Sequence, residues 1–179
     1  MNEVAGNPLG VVVNFTPPAM PPLDLILTGR TVRLEPLERS HAIDLEAEFR
    51  GHDVLWDYMP SGPFADLAAF SEWVVSRAGK PDPMFVAIID LATGKAVGVA
   101  SFMRIVPADG VIEVGGIAFS PALQGTVMAT EAMVLMMRWA FEAGYRRYEW
   151  KCHSLNAPSR RAAGRLGFSY EGTFRQHMI

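Results

Sequence analysis

The chain has 179 residues, half of them hydrophobic and a fifth charged, with a formal net charge of −3 and an isoelectric point near 5.8. That is the composition of one globular domain able to bury a core, and it excludes an intrinsically disordered chain. The acidic balance argues against a broad electrostatic grip on nucleic acid.

The sequence contains no apolar run long enough to span a membrane, and its N-terminus lacks the basic and apolar blocks of a signal peptide. Neither a nucleic-acid nor a membrane partner is expected, and the cytoplasm is the expected location. The single cysteine, Cys152, rules out an internal disulfide framework and suits a reducing compartment. Falling in an expected strand, it reads as a buried structural thiol.

Five prolines lie in the first thirty residues, four of them between Pro17 and Pro22, so this stretch cannot be helical. Residues 1–27 are expected to form an extended arm over the domain or a mobile leader, and residues 28–179 a single domain. Alternating apolar residues predict a strand over Thr31–Leu37. A helix that Ser40 can cap follows, carrying Ile43, Leu45 and Phe49. After the loop WDYMPSGPF comes a helix over Asp66–Arg77 with Leu67, Phe70, Trp73 and Val74 on its inner face.

Met84–Asp90 and Ala96–Ile105 are apolar and β-prone, and the Thr-Gly of ATGK joins them as a hairpin. Val111–Phe119 is a further strand, in which Gly115-Gly116 implies a bulge or the close approach of a ligand. A long helix runs from Thr126 to Ala143, filled by Met133, Leu135, Met136, Met137 and Phe141 and ended by Gly144. Tyr148–Cys152 is a short strand. Asn156 opens a helix that Gly167 closes, and Phe168–Met178 reads as one more strand. The arginines and lysine at 146, 147, 151, 160, 161 and 165 form either a solvated face or an anion site. The order predicts an α/β sheet with helices on both faces.

The segments IEVGGIAFSP, QGTVMATEA, GYRRYEWKC and NAPSRRAAGRLGF together resemble the GNAT superfamily of acetyl-CoA-dependent N-acetyltransferases. With WDYMPSGPF they look most like its ribosomal-protein N-terminal acetyltransferases, the RimJ/RimL-like branch. The resemblance implies a mixed, mostly antiparallel twisted sheet with a splay between its fourth and fifth main strands. It also implies acetyl-CoA as co-substrate, no metal, and a primary amine as acceptor, either a protein N-terminus or a small molecule.

Each part of that chemistry has candidate residues. A pyrophosphate suits the unpaired N–H groups of a helix start, here Gln124, Gly125, Thr126, Val127, Met128, Ala129 and Thr130. The superfamily's loop has a glycine where this chain has Val127, so either Gly125 and the hydroxyls of Thr126 and Thr130 compensate or cofactor binding is weakened. Ile117, Ala118 and Phe119 are the implied main-chain partners of the pantetheine arm, and the N–H near Ile117 an oxyanion donor. Glu113 reads either as the base, acting through a water, or as a surface carboxylate. Glu131 is the alternative base, although an acid in a first helical turn is explained by the helix dipole alone.

The tyrosine that many relatives use to protonate the departing thiolate falls at Ala163 here. Ser159 is its expected substitute and Asn156 the holder of the pantetheine amide; both residues also suit a plain helix start. His153 could relay protons or be simply solvated. Trp56, Asp57, Tyr58 and Phe64 are the candidate acceptor-binding residues. Relatives continue into a seventh strand, so the final strand reads as missing; either the chain is shortened or the edge near Cys152 is open to a second copy, giving a homodimer. The alternative function is a non-catalytic acyl-CoA-binding or interaction module of the same fold.

Overall fold

A computed structural model describes residues 10–177. The first nine residues of the expected arm, and Met178 of the expected last strand, lie outside the described residues. Six strands, β1 (Leu27–Thr28), β2 (Val32–Pro36), β3 (Met84–Asp90), β4 (Ala96–Val106), β5 (Val111–Phe119) and β6 (Arg147–Trp150), form one sheet in sequence order. Four helices complete it: α1 (Ala42–Phe49), α2 (Leu67–Arg77), α3 (Val127–Glu142) and α4 (Ala157–Arg165). Neighbours are antiparallel from β1 to β5, and only β5 and β6 run parallel. A parallel pair needs a crossover, and α3 supplies it.

The period of two in β3 divides the core. Phe85, Ala87 and Ile89 face α1 and α2, where Leu45, Phe49, Phe70, Trp73 and Val74 cover them. Met84, Val86 and Ile88 face α3, which buries Ala132, Met133, Leu135, Met136 and Ala140 over them. Each fully buried large side chain contributes about 1.5–3 kcal/mol of transfer free energy. Because helices cover both faces, β3 and the first half of β4 are buried on both sides, and their sequences are continuous apolar runs rather than alternating ones.

Several local expectations change. Ser40 does not cap α1; it lies in a 3-10 turn, Arg39–His41, that Glu38 and His41 close reciprocally ahead of α1, and Ile43 is 66 % exposed while Ala42, Leu45 and Phe49 are buried. Leu67 opens α2 at its exposed end. β6 stops at Trp150, so Cys152 is an exposed thiol in the following turn, not a buried one.

The last expected strand is absent among the described residues. After Gly167 the chain is irregular, and Gly172 at φ +149° breaks its extension. The segment instead lies against β6 through side chains. Phe168 stacks on Tyr148 with centroids 5.6 Å apart, and Glu171 takes the Arg147 guanidinium with both oxygens.

The arm residues that are described contact the domain. The Tyr145 hydroxyl donates to the Ala19 carbonyl at 3.0 Å, Pro21 is buried, and Arg146 lies over the Phe15 ring at 5.9 Å.

Candidate active site

The site begins where β5 and β6 part. Their parallel register runs from Val111–Arg147 to Val114–Trp150 and ends there, while β5 continues to Phe119. From Gly115 onward the β6-facing edge of β5 is therefore unpaired among the described residues, and Ile117, Ala118 and Phe119 lie along it. On its other edge β5 bulges: Val99 faces Ala118 but Ser101 faces Gly115, leaving Gly116 and Ile117 opposite Ala100 alone. Gly116 takes φ +58°, and a Cβ there would meet the Phe85 ring at 2.7 Å. A Cβ at Gly115 would meet the Met103 sulfur. The Ser101 hydroxyl donates to the Gly115 carbonyl at 2.9 Å, which pins the bulge.

Next to the splay stands the N-terminus of α3. Gly125 turns the chain at φ +70°, and Thr126 caps the helix by accepting from the Ala129 N–H at 3.2 Å. The Thr126 hydroxyl proton goes to the Leu123 carbonyl and that of Thr130 to the Thr126 carbonyl, so neither hydroxyl is spare for a phosphate. The expected compensation for Val127 thus falls to the backbone. Among the described residues, the N–H groups of Gly125, Val127 and Met128 have no acceptor. These donors at the positive end of a 16-residue helix suit a pyrophosphate. The Val127 side chain is 75 % exposed and projects from this turn, and the Gln124 amide donates to the Phe119 carbonyl at 2.9 Å, tying the loop to the end of β5.

Glu113 is not a surface carboxylate: it is 2 % exposed, one residue before the end of the β5–β6 pairing. Arg104 donates to one of its oxygens at 2.5 Å and Lys151 to the other at 2.6 Å. A buried carboxylate requires such partners. Lys151 also bonds Glu149; partial burial works against its charge, but the two carboxylates outweigh that and push its pKa up. Lys151 therefore stays cationic and cannot itself serve as the base.

Arg104 reaches Glu113 from a left-handed backbone, φ +47°, that a non-glycine residue rarely adopts. Asp82 anchors that conformation by accepting from the N–H groups of Arg104 at 2.9 Å and Ile105 at 3.0 Å.

Glu131 is occupied elsewhere. Its carboxylate accepts from the Thr31 hydroxyl and from the N–H groups of Arg30, Thr31 and Val32, closing the turn between β1 and β2. The Thr31 hydroxyl and then the Arg30 N–H hold its pKa down to about 2. A carboxylate so thoroughly engaged is a structural clamp, not a base.

On the far side of the splay, the Asn156 side-chain carbonyl caps α4 by accepting from the Ser159 N–H at 3.1 Å. The Ser159 oxygen accepts from the Trp150 indole at 2.9 Å. Ala163 has no side-chain proton to give. The His153 ring accepts from the Leu155 N–H through Nδ1 at 3.2 Å and stacks on Tyr58 with centroids 5.2 Å apart, joining the loop after α1 to the turn before α4.

The four acceptor candidates do not form one surface. Trp56 is 5 % exposed and belongs with Phe64 to the aromatic cluster beneath α1 and α2. Together they border a cavity of about 260 Å³ that also touches Glu46, Asp53 and Asp66 but no residue of β5, β6 or α4. Asp57 and Tyr58 are exposed, and Tyr58 alone is tied to the β6–α4 turn.

Sequence reasoning missed Arg104 and Trp150, and placed Lys151 in a basic group without its Glu113 partner. Their partners are 9, 9 and 38 residues away in the chain, separations that carry no periodic signal.

An acetyltransferase (GNAT) domain model matches residues 31–169. The chain belongs to the GNAT acetyltransferase family, and membership supports acyl-CoA-dependent acetyl transfer in general. A GCN5-related N-acetyltransferase from Brucella melitensis is 45 % identical over 93 % of this chain and 76 % of that one, with a TM-score of 0.89. A probable GNAT-family acetyltransferase from Chromobacterium violaceum is 36 % identical over 99 % and 90 %, with a TM-score of 0.88. An acetyl transferase from Salmonella typhimurium that modifies the N-terminal serine of ribosomal protein L7/L12 shares the fold at TM-score 0.70 and 18 % identity, covering 87 % of this chain and 91 % of that one. No curated protein sequence matches the chain.

Proposed function

We propose that the chain moves an acetyl group from acetyl-CoA directly to a primary amine, either the α-amine of a protein N-terminus or that of a small molecule. The observation that carries this reading is the parting of β5 and β6 at Gly115 beside the unpaired N–H groups of α3. An acyl-CoA presents two things to bind, a peptide-like arm and a pyrophosphate. The open edge at Ile117, Ala118 and Phe119 suits the first, and Gln124 to Thr130 the second.

In this reading Glu113 holds the water that takes the amine's proton, while Arg104 and Lys151 keep its carboxylate aimed. Asn156 retains an amide N–H₂ for the pantetheine, and Ser159 supports the leaving sulfur. An α-amine, with a pKa near 8, needs only a weak base, whereas a lysine side chain near 10.4 needs a stronger one. Asp57 and Tyr58, both exposed, are the acceptor-facing pair of the loop after α1, and Tyr58 stacks on His153 of the β6–α4 turn. Trp56 and Phe64 support that loop from within.

Calorimetric titration with acetyl-CoA and with CoA, followed by turnover with a panel of amines, tests the reading. Micromolar binding with acetyl transfer to an amine supports the enzyme. Binding without turnover supports the non-catalytic module, and no binding removes both. β6 has no strand on its outer side among the described residues, and a second copy pairing there would give a homodimer. Sedimentation that stays monomeric at high concentration excludes that assembly.

A further inference from the structure

We infer that Trp150 is a positioning residue for Ser159, whose hydroxyl it turns into an outward hydrogen-bond donor for the departing CoA thiolate. The inference rests on the acetyl-transfer reading above and on the place of Ser159 in it.

An indole N–H can only donate, so a hydrogen bond between tryptophan and serine has one polarity. The Trp150 N–H gives its proton to the Ser159 oxygen at 2.9 Å. The Ser159 N–H is taken by the Asn156 side chain at 3.1 Å. Among the described residues, the Ser159 hydroxyl proton goes to no acceptor. A serine in the first turns of a helix otherwise rotates among three staggered wells and readily bonds a carbonyl of its own backbone. The indole occupies one lone pair, fixes the oxygen, and leaves the proton free.

Trp150 is itself well fixed. It is the last residue of β6 and pairs with Val114, the last β5 residue in the parallel register. Its ring meets Phe168 edge-on with centroids 5.5 Å apart. Ser159 is thereby tied to the point at which the two strands part. With alanine at 163, no tyrosine competes for this task.

In the transfer, the amine nitrogen forms the new bond to the thioester carbonyl carbon, and the carbon–sulfur bond breaks with its electron pair going to sulfur. The amine's proton leaves to water. Ser159 donates a hydrogen bond to the thiolate and keeps its own proton, and the thiolate then takes a proton from solvent.

The test is a double-mutant cycle on the full chain, read as kcat and as KM for acetyl-CoA with an amine that supports turnover. W150F keeps a ring and removes the N–H; S159A removes the hydroxyl. Each single variant is expected to lower kcat about tenfold, the loss of one hydrogen bond to a charged group, with KM within about twofold. The double variant should be no slower than S159A.

Replacing acetyl-CoA with the acetyl thioester of a more acidic aromatic thiol should shrink both losses together. Additive losses, or wild-type kcat in W150F alongside a slow S159A, overturn the positioning role. Wild-type kcat in S159A instead removes Ser159 from the reaction, and the positioning role with it. Should W150F fail to fold, the Trp150 indole proton of the unsubstituted chain is followed by NMR during CoA titration. A shift on binding that S159A abolishes supports the inference; an unmoved indole while neighbouring signals shift overturns it.

Discussion

Glu113 and Glu131 are both carboxylates held by hydrogen bonds, and their surroundings differ. Glu113 sits at the splay with both oxygens held by flexible cationic side chains that are themselves half-exposed. Glu131 is held by three backbone N–H groups and a hydroxyl far along the sheet. We expect Glu113→Gln to lower turnover at neutral pH and to lose less above the acceptor's pKa, where the amine is already neutral. A pH–rate profile of unchanged shape would remove Glu113 as the base. The same change should lower Tm, because Arg104 and Lys151 lose their shared anion.

For Glu131 the pKa falls from 4.5 to about 2 on folding. Its stabilisation is therefore fully present above about pH 4.5 and is lost as the pH drops toward 2. Glu131→Ala should lower stability at pH 7 without affecting acetyl-CoA binding, and urea titrations should show the gap to the unsubstituted chain closing between those two pH values. A gap independent of pH would contradict the clamp.

Among the elements, the β5 bulge and the start of α3 make the cleanest predictions. Gly116→Ala puts a methyl into the Phe85 ring at 2.7 Å from a φ of +58°. The combined clash and backbone strain should cost about 2–4 kcal/mol. Denaturant unfolding measures that loss, and the same variant should bind acetyl-CoA more weakly because the open edge moves.

At the start of α3 the bias is reversed. Val127→Gly clears the approach to the free N–H groups and should tighten CoA binding several-fold by calorimetry, while a thermal melt shows a loss below about 1 kcal/mol for glycine in a helix. Weaker binding after this change would mean that the valine side chain itself contacts the nucleotide.

At the scale of the molecule, the arm and the segment after α4 are held to the sheet by a few side chains rather than by ladders. Removing residues 1–21 deletes the acceptor of the buried Tyr145 hydroxyl and the Phe15 cover on Gly110. Tm should fall by about 4–10 °C, the scale of one to three such losses in a chain of this length. An unchanged Tm would show that the arm contributes nothing to folding.

Regular elements were legible in the sequence because each carries a repeating signal. The alternation in β2, the Thr-Gly turn before β4, the Gly115-Gly116 bulge, and the Thr126 and Gly144 limits of α3 all rest on local chemistry. The strand expected over Phe168–Met178 was not legible, because apolar residues alone do not make a strand where no neighbouring backbone completes the ladder. Two-residue β1 carried too little sequence to register at all.

The sequence by itself determined the order of the elements from β2 to α4, the glycines of the β5 bulge, and the helix start that suits an anion. Each follows from residues within a turn or two of one another. Only the tertiary structure decided that Glu113 is buried between Arg104 and Lys151, that Glu131 clamps a distant turn, and that Trp150 holds Ser159. Those contacts join residues on different elements, and only the packing of the sheet brings the polar atoms within hydrogen-bonding distance, where burial then obliges them to pair.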